Sequence, residues 1–111
     1  MEINTESFPQ YLIIHVDGSL TNDDLQFFKN EMEIIFENND VDFIFDFEKV
    51  SFICSSALSL LFLFMNKIKA KNHKFIICSL RDEIRRLFVI TGVDRHLELY
   101  ASIEESAASL I

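Results

Sequence analysis

The clearest alternation of apolar and polar positions lies at residues 41–47, VDFIFDF. Val41 and three Phe residues fall on one face, and Ile44 falls on the other face between two Asp residues. A period of two is typical of a β-strand with two distinct faces. Three further apolar segments predict strands at residues 10–18 (QYLIIHVDG, ending in a turn at Asp17-Gly18), 73–79 (HKFIICS) and 96–100 (HLELY, a short edge strand).

Between the first two strands, the apolar positions change to the spacing of an amphipathic helix. Residues 21–39 carry one apolar stripe with steps of three and four residues, which predicts a first helix. Thr21 is its candidate N-cap, and Asp23 and Asp24 lie in the predicted first turn, where the helix dipole favours negative charge. The stripe consists of Leu25, Phe28, Met32, Ile35 and Phe36.

Three more helices are predicted further along the chain. The second covers about residues 56–70, and the third lies within residues 81–92, RDEIRRLFVITG. Gly92 is placed to end the third helix in the left-handed conformation. Ser102 and Glu105 form a capping box that begins a last helix, which is predicted to run through Leu110.

The order of these elements predicts the fold class. From residue 41 onwards, strands and helices alternate with short connections. This order predicts an α/β sandwich, in which a mixed, largely parallel sheet of about four to five strands packs against about four helices. The chain has 111 residues, half of them hydrophobic, which is enough to fill one core. We therefore expect a single domain over residues 1–111.

Charge and composition exclude several classes of function. The formal net charge of −8 disfavours binding to nucleic acid or to anionic lipid, because both need clustered Lys and Arg. The first ten residues lack the features of a signal peptide, and the longest apolar run is shorter than the roughly 20 residues that span a bilayer. Cys54 and Cys78, the only cysteines, are expected to be reduced. We expect a cytoplasmic protein without membrane insertion.

The second predicted helix is apolar on more than one side. At about 100° per residue, Leu60 and Leu63 fall opposite its core stripe, near Ser59 and Lys67. A helix that is apolar all round is either wholly buried or has a partner. We therefore expect a docking face on this helix. Its expected core stripe consists of Leu58, Leu61, Phe62, Met65 and Ile68.

Common catalytic and cofactor sites find little support in the sequence. A glycine-rich phosphate loop is absent, because Gly18 and Gly92 are the only glycines. His15, His73 and His96 are scattered, and none has a metal-ligand spacing to a cysteine, so each is interpreted as a strand-edge or loop residue. We expect no cofactor and no metal.

Three residues before or at the start of the second helix could carry chemistry. Cys54 could become a reactive thiolate there, but CSSA lacks a second Cys or the Arg of a cysteine phosphatase loop, so a buried apolar role is the simpler interpretation. Ser55 and Ser56 have two interpretations. One serine could cap the helix, and the other lies where backbone N–H groups would accommodate a phosphate. Capping is the commoner role of a serine at a helix end.

Residues 43–64 and 74–107 together resemble the STAS domain of anti-sigma factor antagonists, and the resemblance runs from about residue 11 to residue 108. Its most specific parts are the strand end at Asp46-Phe47, the serine pair that begins the second helix, and the helix stop TGVD. In that family, an Asp-Ser-Ser-Gly motif begins this helix, and a partner kinase phosphorylates its second serine. Ser56 matches that serine, whereas Cys54 and Ala57 replace the Asp and Gly.

The resemblance implies a partner-switching cycle in which this protein is not itself an enzyme. The unmodified protein would bind an anti-sigma factor that is also an ATP-dependent serine kinase, which releases a sigma factor. Phosphorylation of Ser56 (Ser55 is the second choice) would end the binding, and a metal-dependent serine phosphatase would restore it. The partner-binding residues expected from the resemblance and from the second helix are Thr21, Asp23, Asp24, Cys54, Ser55, Ser59, Leu60, Leu63 and Lys67.

Three alternatives remain at the level of sequence. The chain could be a STAS accessory subunit of a phospholipid-transport ABC complex, in which the second helix docks permanently and no kinase acts. A second, weaker alternative is an enzyme that uses Cys54. A homodimer through the second helix or the first strand is also open.

Overall fold

The computed structural model describes all residues 1–111. The strands are β1 (Glu2–Ser7), β2 (Tyr11–Leu20), β3 (Asp42–Ile53), β4 (Phe75–Cys78) and β5 (Glu98–Tyr100), and the α-helices are α1 (Leu25–Asn38), α2 (Ser55–Ala70), α3 (Asp82–Thr91) and α4 (Ile103–Ala108). The strands form one sheet in the order β1-β2-β3-β4-β5. β1 pairs antiparallel with β2, and all other neighbours pair in parallel. The predicted α/β class and largely parallel sheet are confirmed.

The alternation in β3 sends its side chains to two differently covered faces of the sheet. Phe43, Phe45 and Phe47 are buried in the main core, which also contains the inner faces of α1, α2 and α3. Ile44 belongs to a smaller cluster on the opposite face, together with Ile13 of β2 and side chains of α4. The predicted strand faces at residues 41–47 therefore match the structure.

The sequence did not predict β1, and it ended β2 too early. Five of the six β1 residues are exposed, so this edge strand has no apolar alternation and is held by its backbone pairing with β2. The turn predicted at Asp17-Gly18 is wrong, because β2 continues to Leu20. Gly18 instead adopts a φ of 129° within the strand, between two register shifts against β3. A glycine can therefore mark an irregular strand as well as a turn.

α1 begins later than predicted. Residues 22–24 form a turn, and Asp24 occupies the N-cap position without a side-chain bond to the helix. The hydroxyl of Thr21 donates to Oδ2 of Asp24 at 2.8 Å. Thr21 is therefore not the N-cap, because its hydroxyl bonds to Asp24 within the loop, and Asp23 and Asp24 precede the first helical turn.

The predicted end of α3 and the predicted start of α4 agree with the structure, but α4 ends at Ala108 rather than at Leu110. Gly92 follows α3 with a φ of 78°, which is the left-handed stop that the sequence indicates. Ser102 is the N-cap of α4, and its Oγ accepts a hydrogen bond from the backbone N–H of Glu105 at 3.1 Å. None of the helices is both long and apolar enough to cross a membrane.

Candidate functional site

The start of α2 lies at the ends of two parallel strands. Leu20 and Ile53, the last residues of β2 and β3, are paired. The backbone N–H of Cys54 then donates to the carbonyl of Leu20 at 2.9 Å. This bond ties the loop before α1 to the first residues of α2, so the predicted partner residues near Thr21 and those near Ser55 lie at the same end of the molecule.

Neither serine of the pair caps α2. Cys54 occupies the N-cap position, with no side-chain capping bond, and Ser55 is the first helical residue. The backbone N–H groups of Ala57 and Leu58 bond to the carbonyl of Cys54 at 3.0 and 3.4 Å. Ser55 and Ser56 are both exposed. The capping interpretation is wrong, because the helix begins one residue earlier than expected and both serines lie inside its first turn.

Ser56 borders a groove between α1 and α2. The groove has a volume of about 210 Å³, and three leucine side chains are its hydrophobic lining residues. Lys29 is the only charged residue that lines it. The seven lining residues are Leu25, Gln26, Lys29, Ser56, Ser59, Leu60 and Leu63.

Aromatic packing holds the two walls of the groove together. Phe64 of α2 contacts two Phe rings of α1, with ring centroids 6.0 Å from Phe28 and 5.2 Å from Phe36. All three rings are buried. Because these contacts fix α1 against α2, the groove is a built feature of the fold.

The structure corrects the predicted faces of α2. Leu60, predicted to be exposed, is 9% exposed and forms part of the core, whereas Leu63 is 64% exposed at the rim. Phe62 was predicted in the core stripe but is only partly buried, and its ring centroid lies 5.7 Å from that of His96. Phe64 is buried instead. α1 packs along one side of α2, so the inward-facing arc is shifted towards α1.

The other residues of α2 that were predicted to bind a partner, with Cys54 before it, do not all lie at the same end of the helix. Cys54, the N-cap residue, and Ser59 lie near Ser56 in the chain, but Lys67 is eleven residues further along the helix, or about 16 Å away. Lys67 does not line the groove. Sequence reasoning missed Gln26 and Lys29, although their spacing from Leu25 places them beside it on α1.

A histidine cluster on the face of the sheet opposite α1 was also missed. His15 of β2 donates or accepts through both ring nitrogens: Nδ1 lies 2.7 Å from Oδ2 of Asp46, and Nε2 lies 2.6 Å from Oε1 of Glu6. Burial lowers the pKa of His15, but the hydrogen bonds and negative charges of Glu6 and Asp46 raise it by more, so the net pKa lies above its ordinary value. His15 therefore links three strands rather than lying at a strand edge.

His73 has a similar arrangement at the other end of the molecule. Its Nε2 lies 2.7 Å from Asp40, and its Nδ1 lies 3.2 Å from Asp42. It borders a polar cleft of about 460 Å³ that also includes Lys69 and Arg95. This cleft is larger than the groove at Ser56 but lies at the far end of α2.

The two cysteines have different surroundings. Cys78 is fully buried, and burial raises the pKa of its thiol. Cys54 is partly buried and packs against the main core. This contact agrees with the apolar role predicted for Cys54.

A comparison with known families identifies the domain. The family model of the STAS domain matches residues 2–106, nearly the whole chain. The chain belongs to the STAS domain family. The resemblance noted in the sequence is therefore confirmed at the level of the family.

Solved structures with the same STAS fold include several anti-sigma factor antagonists. One from Mycobacterium paratuberculosis is 16% identical, with a TM-score of 0.86 over 97% of this chain and 92% of that chain. SpoIIAA in its unphosphorylated form is 19% identical, with a TM-score of 0.71 over 97% and 96%. The Bacillus cell fate determinant SpoIIAA in its phosphorylated form is 20% identical, with a TM-score of 0.72 over 99% and 100%. At these identities the likeness shows the fold.

Proposed function

We propose that this STAS protein is an anti-sigma factor antagonist whose binding to an anti-sigma factor serine kinase is controlled by phosphorylation of Ser56. In the unmodified state it binds the kinase and thereby releases a sigma factor. Phosphorylation ends the binding, and a serine phosphatase reverses it. The observation that carries this proposal is that Ser56 is exposed, makes no capping bond to the helix and borders an apolar groove.

The geometry of Ser56 supports its role as the phosphate acceptor. Its hydroxyl makes no capping bond to the helix, so modification would not remove a stabilising contact. Ser55 is also exposed, but only Ser56 lines the groove. A phosphate on Ser56 would therefore lie on the surface that a partner would cover.

The chemical step needs only the hydroxyl from this chain. Oγ of Ser56 attacks the γ-phosphorus of ATP, the new O–P bond forms, the bond to the β,γ-bridging oxygen breaks, and ADP leaves. The hydroxyl proton passes to a base of the kinase, which also holds the nucleotide and its metal. In the separate step catalysed by the phosphatase, water attacks the phosphorus, the bond between phosphorus and Oγ of Ser56 breaks, and inorganic phosphate leaves with the serine hydroxyl restored.

Electrostatics explains how one phosphate could end the binding. The group adds about −1.5 to −2 charges beside an apolar contact, which brings a desolvation cost and repels acidic groups of a partner. A loss of about 3 kcal/mol in binding energy weakens a complex roughly a hundredfold. A rearrangement of the fold is not required for an effect of this size.

Incubation with the serine kinase encoded nearest to this protein's gene, in the presence of ATP, tests the proposal by intact-mass measurement. We expect the addition of one phosphate to the wild type and to Ser55→Ala, and none to Ser56→Ala. Ser56→Asp should bind the kinase at least tenfold more weakly than Ser56→Ala. Phosphate on Ser55 alone, or equal binding of both variants, would contradict the proposal.

The accessory-subunit alternative predicts a different result. A STAS subunit of a phospholipid-transport complex would co-purify with an ATPase subunit and would carry no phosphate when isolated from its native cell. Its docking surface would be the same α2 face, and Cys54 in place of the family's acid would then have no consequence. Mass measurement of the native protein, together with identification of its co-purified partner, separates the two functions.

A further inference from the structure

Lys29 is the only cation that lines the groove beside Ser56. It lies on α1 and Ser56 lies on α2, so the two residues line the same groove from different helices, together with Leu25, Leu60 and Leu63. Lys29 is exposed and makes no ion pair with any carboxylate of the chain. Its ammonium group is therefore free to bind an anion at the mouth of the groove.

The two lysines in the last turn of α2 are poorly placed for this role. Lys67 and Lys69 lie in its last turn, about 16 Å or more from Ser56 along the helix axis. The contact between the rings of Phe28 and Phe64 holds α1 against α2, so the helix that carries Lys29 stays beside the helix that carries Ser56. Lys29 is therefore the cation best placed to meet an anion attached to Ser56.

We infer that Lys29 is the internal partner of a phosphate on Ser56, so that phosphorylation closes the groove by an ion pair between α1 and α2. The inference rests on the proposed phosphorylation of Ser56. The phosphate and the ammonium group approach each other across the mouth of the groove. They then cover Leu60 and the part of Leu63 that lines the groove. The modified protein then blocks its own docking groove, in addition to repelling an acidic partner.

The pair has a measurable effect on the ionisation of the phosphate. A nearby cation favours the dianion and lowers the second pKa of the phosphate. For an exposed pair, the expected decrease is about half a unit. The decrease should vanish in about 1 M salt, where the screening length is about 3 Å.

Phosphorus NMR of protein with phosphoserine incorporated genetically at position 56 tests the inference without any kinase. The second pKa of the phosphate is measured in otherwise wild-type protein and in Lys29→Met, Lys29→Arg and Lys67→Met backgrounds. We expect a pKa higher by about half a unit in Lys29→Met only. Lys29→Arg should keep the low value because it keeps the charge, and Lys67→Met is the matched control on α2.

Equal pKa values in the wild-type and Lys29→Met backgrounds would overturn the inference. An equal increase in Lys67→Met would also overturn it, because the effect would then reflect net charge rather than a specific pair. The proposed function is judged separately, by whether phosphoserine-56 protein binds the kinase. Retained kinase binding with a Lys29-dependent pKa would refute the function and leave the ion pair intact.

Discussion

At the scale of single residues, the starts of α2 and α4 show that a serine near a helix start has two different uses. Ser102 precedes α4 and accepts a hydrogen bond from the backbone of Glu105. Ser55 and Ser56 lie inside α2 and make no such bond. The capping box at Ser102 was predictable because Glu105 stands three residues later. The serine pair was ambiguous, because the N-cap position falls on Cys54, a residue type that rarely caps.

This difference predicts unequal stability effects for Ser→Ala substitutions. Ser102→Ala should lower the free energy of unfolding by about 1 kcal/mol, because it leaves the N–H of Glu105 without its partner. Ser55→Ala and Ser56→Ala should each change it by less than about 0.5 kcal/mol, because no capping bond is lost. Urea unfolding of the three variants measures these values. A loss near 1 kcal/mol in Ser56→Ala would mean that its hydroxyl has a structural role.

At the scale of elements, local patterns predicted the helices and the central strands but not their packing on one another. The alternation in β3 and the stop at Gly92 are properties of short segments, so they could be read directly. The burial of Leu60 depends on α1 packing against one side of α2, which no period within α2 indicates. The groove beside Ser56 was missed in part for the same reason: it needs Lys29 and Leu25 from another helix.

Substitutions at Leu60 and Leu63, on the same helix, should therefore affect stability and partner binding differently. Leu60→Ala should lower the free energy of unfolding by about 2 to 4 kcal/mol, because it opens a cavity in the core. Leu63→Ala removes an exposed side chain and should change it by less than about 0.5 kcal/mol. If a partner docks on this groove, Leu63→Ala should weaken its binding about tenfold, which corresponds to roughly 1.4 kcal/mol.

Urea unfolding and a binding titration with the kinase measure the two effects separately. Ile34→Ala is a suitable control, because Ile34 is an exposed apolar residue of α1 that does not line the groove. It should leave both stability and kinase affinity nearly unchanged. Equal loss of affinity in Leu63→Ala and Ile34→Ala would argue against docking at this groove.

At the scale of the whole molecule, the His15 cluster joins three strands across one face of the sheet. His15 on β2 contacts Glu6 on β1 and Asp46 on β3 at 2.6 and 2.7 Å. Asp17 and Lys49 line the small cavity around it. The sequence could not reveal this cluster, because β1 has no strand pattern and its register with β2 brings Glu6 within reach of His15. The cluster attaches the mostly polar edge strand to the central sheet.

The raised pKa of His15 makes this attachment dependent on pH. Because the folded state binds the proton more tightly than the unfolded chain, the stabilisation is fully present below the unfolded pKa of about 6.5. It is lost as the pH rises through the higher pKa of the folded state, when the imidazole loses its charge between two carboxylates. The folded protein should therefore lose stability on the alkaline side of neutrality.

Urea unfolding of the wild type and of His15→Gln at about pH 6 and about pH 9 measures this effect. Gln at position 15 does not titrate, so the stability advantage of the wild type over His15→Gln should shrink between the lower and the higher pH. His96→Gln is the control, because His96 is exposed and has no ion pair, and it should follow the wild type. Parallel pH profiles for the wild type and His15→Gln would mean that the protonated imidazole does not hold β1 to the sheet. An opposite slope, with the advantage growing as the pH rises, would mean that the neutral ring is the form that the folded state prefers.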